Sequence, residues 1–111
     1  MERLLALPKR PTAVLASNDL TAIGALRAIY NAKLRVPEDI SLIGLDDIYL
    51  SQFTQPALTT IRLSRTEVAE KAFSAITALI NGKSRKGHEY LVETQLVMRG
   101  STELHTDAPN S

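Results

Sequence analysis

The stretch Thr12–Leu45, TAVLASNDLTAIGALRAIYNAKLRVPEDISLIGL, decides how the rest of the chain is read. It opens with a short apolar run, Thr12 to Ala16, entered through the breaker Pro11 and left through Ser17-Asn18-Asp19. An apolar run that ends in helix-starting polar residues is the pattern of a buried strand feeding a helix. Asn18 or Asp19 can accept a hydrogen bond from a free amide of the first turn, and both suit the positive end of a helix dipole. Ala22, Ile23, Leu26, Ile29 and Tyr30 recur at spacings of three and four, which predicts a helix from about Leu20 to Ala32. Leu34 to Asp39 is a connector, because Pro37 has no amide proton and biases Val36 towards an extended backbone. Ile40 to Leu45 (ISLIGL) is again short, apolar and β-branched, and Asp46-Asp47 ends it. Strand, helix and strand at this spacing make a βαβ unit whose two strands lie parallel.

Working outward, Gln55-Pro56 marks a turn and Leu58 to Leu63 (LTTIRL) has the β-branched content of a third strand. Ser64 to Gly82 reads as a helix. Ser64 and Glu67 have capping-box spacing, Val68, Ala72, Ile76 and Leu79 form an apolar stripe with Phe73 and Ile80 beside it, and Gly82 stops it. Lys83 to Glu89 is a polar loop, Tyr90 to Arg99 a last extended segment, and Glu103 to Ser111 a loose tail. The expected class is α/β, a parallel sheet flanked by helices. Two or three strands with two helices leave sheet edges and one helix stripe uncovered, so the chain is expected to be part of a larger unit and to associate at least as a dimer.

Thirteen Lys and Arg are interspersed with twelve Asp and Glu among 111 residues, for a formal net charge of +1. That balance offers no electrostatic footprint for a phosphate backbone, so nucleic acid is not expected to touch this stretch directly. The absence of cysteine excludes disulfides, thiolate-zinc sites and cysteine nucleophiles, and suits a reducing cytoplasm. The opening MERLLALPKRP is too short and too interrupted for a signal peptide or a membrane span.

In open parallel sheets the ligand crevice lies at the carboxyl ends of the strands, and both strand ends here carry polar clusters, Ser17-Asn18-Asp19 and Asp46-Asp47. A carboxylate accepts from two hydroxyls and an amide both donates and accepts, which suits a polyhydroxylated or heterocyclic ligand. Asp19 and Asp47 read as cap and turn residues. For Asn18 and Asp46 the structural and the ligand-facing roles both stay open. Asp46 and Asp47 could instead hold magnesium for phosphoryl transfer, but the lysine and nucleophile which that chemistry recruits are not in a recognisable pattern. Gly24 lies inside the first helix rather than in a phosphate loop, and His88 and His105 read as surface residues. No catalytic residue, metal site or cofactor is expected.

The run from Pro11 to Arg62 resembles the C-terminal part of the effector-binding core of the lactose-repressor/galactose-repressor (LacI/GalR) family of bacterial transcriptional regulators. PTAVLASND, AIGALRA, LRVPEDISLIGLDD and PALTTIR carry the likeness in order and at the family's spacing, and LVMRGST (Leu96 to Thr102) is similar to its closing strand. The resemblance implies a fragment of a Rossmann-like, type I periplasmic-binding-protein-like fold. Its C-terminal subdomain strands would span about 12–62, a crossover helix 64–82, a closing strand 90–99 and a tail 103–111, with the DNA-binding helix-turn-helix domain absent. It implies a sugar or nucleobase effector in a cleft, operator DNA reached only through the missing N-terminal domain, and a cytoplasmic homodimer with no membrane partner. Carried over residue by residue, Asn18 and Asp46 match effector-binding positions, and Ile23, Leu26 and Phe53 match surfaces that pair protomers.

Three positions depart from the family pattern: Leu45 where an aromatic residue usually precedes Asp46, Lys33 where a glycine commonly follows the helix, and Leu63 where a polar residue often follows the Thr-Thr-Ile-Arg stretch. A periplasmic sugar-binding component of a transporter shares the two-subdomain fold and is the competing reading. The VPEDISLIGLDD and PALTTIR stretches favour the repressor.

Overall fold

A computed structural model of the chain describes residues 1–106. The last part of the tail expected over Glu103 to Ser111 lies outside them, and 103–106 have no regular structure. The elements are α1 (Glu2–Leu5), β1 (Ala13–Leu15), α2 (Asp19–Asn31), β2 (Ser41–Leu45), a short 3₁₀ turn (Tyr49–Gln52), β3 (Thr59–Leu63), α3 (Arg65–Ile80) and β4 (Thr94–Val97). They fall into two compact units, Met1–Arg62 with Leu96–Ser111, and Leu63–Gln95.

The strands form one sheet in the order β1-β2-β3-β4. β1 runs parallel to β2 with Ala13 opposite Ser41 and Leu15 opposite Ile43, and β2 runs parallel to β3 with Ile43 opposite Thr59 and Leu45 opposite Ile61. The expected parallel pairing of the first two strands is therefore found, with strand ends shifted by at most one residue. α1 and the turn at 49–52 were not expected. Each is four residues long, too short to give a periodic signal.

α2 packs on β2, where Ala16, Ala22, Ala25, Leu42 and Leu58 make the buried cluster and Met1, Val14, Leu26 and Val36 lie against it. Ile29, Ile40, Leu42 and Leu58 are fully buried, each stabilising the fold by about 1.5–3 kcal/mol relative to exposure. Among the described residues, this cluster covers one face of β1 and β2. Leu15 on the other face of β1 is 68% exposed, so the continuous apolar runs that suggested burial on both faces are buried on one.

Both long helices end in the same motif. After α2, Lys33 N–H donates to the Tyr30 carbonyl (2.9 Å) and Leu34 N–H to Ile29 (3.1 Å), with Lys33 left-handed at φ 61°. After α3, Gly82 (φ 68°) and Lys83 donate to Leu79 and Ala78. This is the Schellman arrangement, in which glycine pays no Cβ penalty but lysine does. Lys33→Gly is expected to raise unfolding stability by about 0.5–1 kcal/mol, measured as a higher urea midpoint at unchanged slope. The loss of the Lys33 ammonium, 5.9 Å from the Tyr30 ring, offsets only part of this.

In the second unit, Ser64 Oγ accepts from Glu67 N–H (3.2 Å) as the spacing predicted, and Lys71 links Glu67 (3.5 Å) to the Leu91 carbonyl (2.9 Å). No residue of α3 is buried, and Phe73, Ile76, Leu79 and Ile80 are all exposed.

Candidate functional site

The carboxyl ends of β1 and β2 lead into Asn18 and Asp46, so adjacent parallel strands bring these two residues to the same edge of the sheet. Asn18, extended at φ −161°, caps α2 by accepting from Thr21 N–H at 2.8 Å. That uses its carbonyl oxygen and leaves the side-chain NH₂ with no partner among the described residues. The capping and ligand-facing roles are thus compatible on one side chain.

Asp46 and Asp47 lie at positive φ, 114° and 52°. Such geometry is uncommon for residues other than glycine and gathers at functional loops. The Asp46 amide is anchored on the Ile61 carbonyl (2.9 Å), while its exposed carboxylate has no hydrogen bond among the described residues. Asp47 is the opposite case. Its carboxylate, 10% exposed, accepts from Arg99 Nη2 at 2.6 Å and Arg62 Nε at 2.7 Å. Arg99 also donates to the Leu58 carbonyl (2.9 Å) and, through its amide, to Thr59 Oγ1 (3.0 Å). Burial opposes the charged form of Asp47, but the hydrogen bonds and charges of Arg99 and Arg62 outweigh it and hold the carboxyl below the usual carboxylate range. The Asp46 carboxylate is therefore unpartnered among the described residues, and that of Asp47 is occupied.

Asp19 departs from the expectation of a capping residue. Its side chain turns inward and is fully buried, accepting from Thr60 Oγ1 (2.6 Å), Ile48 N–H (2.9 Å) and Ser51 Oγ. Thr60 Oγ1 in turn accepts from Asp47 N–H (3.3 Å). Asn18 does the capping, and Asp19 ties α2 to β3 and to the loop after β2. Gly44 makes room for it, since a Cβ there would lie 2.1 Å from Asp19 Oδ1. Ser51, Thr60 and Arg99 escaped the sequence reading, as did the inward, buried role of Asp19. A glycine inside an otherwise bulky strand was the one signal that something polar packed against it.

Of the residues matched to a pairing surface, Phe53 is 64% exposed and meets Tyr49 edge-on at 5.0 Å between ring centroids. Ile23 is half-buried, four residues after Asp19 on the same helix face. Leu26 is half-buried and packs against the core cluster, so part of it supports the fold. A groove of about 650 Å³ between α1, β1 and α2 is lined by Met1, Leu4, Val14 and Thr21 among others but touches neither Asn18 nor Asp46. Among the described residues, no group of three or more His, Cys, Asp or Glu could hold a metal, and no helix is long and apolar enough to cross a membrane.

The family described as a periplasmic binding protein-like domain matches residues 1–102. The chain is 45% identical over 106 residues to the probable HTH-type transcriptional repressor ExuR of Bacillus subtilis (strain 168), covering 96% of this chain and 32% of that protein. Among solved structures it is similar to the lac repressor dimer bound to operator and the anti-inducer ONPF, at 37% identity and a TM-score of 0.82, over 91% of this chain and 35% of that one. It is also similar to a LacI family transcriptional regulator from Arthrobacter sp. FB24 in complex with lactose, at 36% identity and a TM-score of 0.77, over 91% of this chain and 38% of that one. The chain spans about a third of the length of the relatives it matches.

Proposed function

The chain belongs to the periplasmic binding protein-like domain family, in its LacI/GalR repressor branch, and from that premise we propose that it supplies part of the effector-binding domain of a transcriptional repressor. The observation that carries this reading is the unpartnered Asp46 carboxylate at the end of a parallel strand, beside an Asn18 whose NH₂ is free to donate. An acceptor and a donor at one sheet edge suit a polyhydroxylated sugar or a nucleobase, and lactose in the Arthrobacter regulator supports the sugar class. Residues 12–62 contribute subdomain strands to the cleft, 64–82 act as the crossover helix and 90–99 as the closing strand.

The regulator is a cytoplasmic homodimer in which Ile23, Leu26 and Phe53 pair protomers. The exposed Tyr49–Phe53 ring pair and the dimeric lac repressor support this. Operator DNA is read by another part of the regulator, in keeping with the near-neutral charge of this stretch. No enzymatic step is assigned: the relatives are repressors.

The test is a pair of substitutions in the regulator that carries this chain. Asp46→Asn exchanges one acceptor for a donor and is expected to weaken effector binding by about 1–3 kcal/mol in calorimetry. Asp47→Asn is expected to be milder, because its carboxylate faces Arg62 and Arg99 rather than the cleft. Equal losses for the two variants, or none for Asp46→Asn, would remove Asp46 from the site.

A further inference from the structure

The direction of the Asp46 carboxylate is set by the backbone beneath it, which is left-handed at two consecutive aspartates, φ 114° at Asp46 and 52° at Asp47. An L residue leaves such a conformation unless its surroundings hold it there. The Asp46 amide is held on the Ile61 carbonyl, and Ile48 N–H is held by Asp19 on the far side of the turn. Between them the Asp47 amide has only a long hydrogen bond, 3.3 Å, to Thr60 Oγ1. The side-chain restraint within the turn is the Asp47 carboxylate on its two arginines, and these are unequal anchors. Arg62 reaches it through Nε at 2.7 Å from a side chain that is half exposed. Arg99 is largely buried and is itself pinned to the start of β3, through Nη1 to the Leu58 carbonyl (2.9 Å) and through its amide to Thr59 Oγ1 (3.0 Å). The next residue continues the attachment, since Gly100 N–H donates to the Ala57 carbonyl at 2.9 Å and a Cβ on Gly100 would lie 3.3 Å from that of Pro56. Arg99 Nη2, 2.6 Å from Asp47 Oδ1, therefore ties the turn after β2 to a fixed point on β3.

We propose that Arg99 is the positioning residue for the Asp46 carboxylate: through Asp47 it keeps the turn left-handed, and so sets ligand affinity without touching the ligand. This rests on the effector-binding reading above, and it adds what presents Asp46 to the ligand. A carboxylate already held in the bound direction loses less freedom on binding, which is where the gain in affinity arises. Arg62 has the same partner but no such attachment, so it contributes the smaller share.

Two arms of one experiment separate the positioning from the function it rests on. The first uses the full 111-residue chain without ligand and reads the one-bond Cα–Hα couplings of Asp46 and Asp47 by NMR, which differ between left- and right-handed backbone. Arg99→Met is expected to lose the left-handed signature at both residues, and Arg62→Met to keep it. Asp47→Gly supplies a residue that adopts positive φ without a tether, so the chain carrying both Asp47→Gly and Arg99→Met is expected to regain the signature at Asp46. Left-handed couplings that survive Arg99→Met overturn the proposal. So does a loss that glycine does not restore, because Arg99 would then support the fold in general. If Arg99→Met does not fold, Arg99→Lys carries the same comparison, since one ammonium cannot serve Asp47 and Leu58 as two separate guanidinium nitrogens do. The second arm titrates lactose by calorimetry into the regulator that carries this chain. Arg99→Met is expected to weaken binding by about fivefold, and the added Asp47→Gly to recover more than about half of that loss. Equal weakening by Arg62→Met and Arg99→Met overturns the assignment to Arg99. No binding of lactose by the wild type counts against lactose as effector, and the ligand-free arm then decides the positioning.

Discussion

Asp19→Ala is expected to destabilise the chain by about 3–5 kcal/mol, read from urea unfolding at neutral pH. The carboxylate is fully buried and accepts from three donors, Ile48 N–H and the hydroxyls of Ser51 and Thr60. Alanine leaves all three facing a hole that the neighbouring strand does not fill. The Ile48 amide is the costly one, because a hydroxyl can rotate to another acceptor and a backbone N–H cannot. Asp19→Asn is expected to lose less, since its carbonyl can serve Ile48 and Ser51 while Thr60 Oγ1 turns to accept from the new NH₂. Gly44→Ala attacks the same contact from β2, where the added Cβ would also lie 3.0 Å from Leu58 Cδ2. An Asp19→Ala chain as stable as the wild type would mean that water reaches the three donors and that the tie is dispensable.

What could be read in the sequence were the features that repeat along it. The periodicity of Ala22, Ile23, Leu26 and Ile29 located α2, the apolar runs TAVLA and ISLIGL located β1 and β2, and Ser64 with Gly82 bounded α3. Motif spacing then carried the family. Of the candidate site, Asn18 and Asp46 could be singled out because polar residues at the carboxyl ends of parallel strands lie where ligand crevices form. Asp19 and Asp47 were not assigned their partners, because Thr60, Ser51 and Arg99 lie 41, 32 and 52 residues away and no local pattern ties them. Adjacent residues took opposite roles: Asn18 points along the helix end while Asp19 points under it, and Asp46 faces out while Asp47 faces two arginines. The left-handed backbone at Asp46 and Asp47 sets the second of these alternations, and periodicity does not encode it.

Removing the Asp47 carboxylate is expected to cost about 2–4 kcal/mol at pH 7, because Asp47→Ala strands Arg99, whose side chain is only 18% exposed, without its counter-charge. Arg62 is half exposed and contributes the smaller, salt-screened share. The pH dependence follows from the direction of the shift. Asp47 is held below its unfolded value of about 3.9, so its stabilisation is complete above that pH and declines as the pH falls through the lower folded value. The stability gap between wild type and Asp47→Ala should therefore be constant from neutrality down to about pH 5 and close progressively below about pH 4. Asp39 is also held low, chiefly by the side-chain hydrogen bond from Arg35, and titrates in the same window. It is present in both chains and cancels from their difference. Raising salt at pH 7 is expected to narrow the gap only slightly, since the Arg99 pair is shielded from solvent while the Arg62 pair is not. A gap that is unchanged down to the acid transition would mean that Asp47 acts through packing alone. A gap that collapses in moderate salt would assign the interaction to Arg62 instead of Arg99.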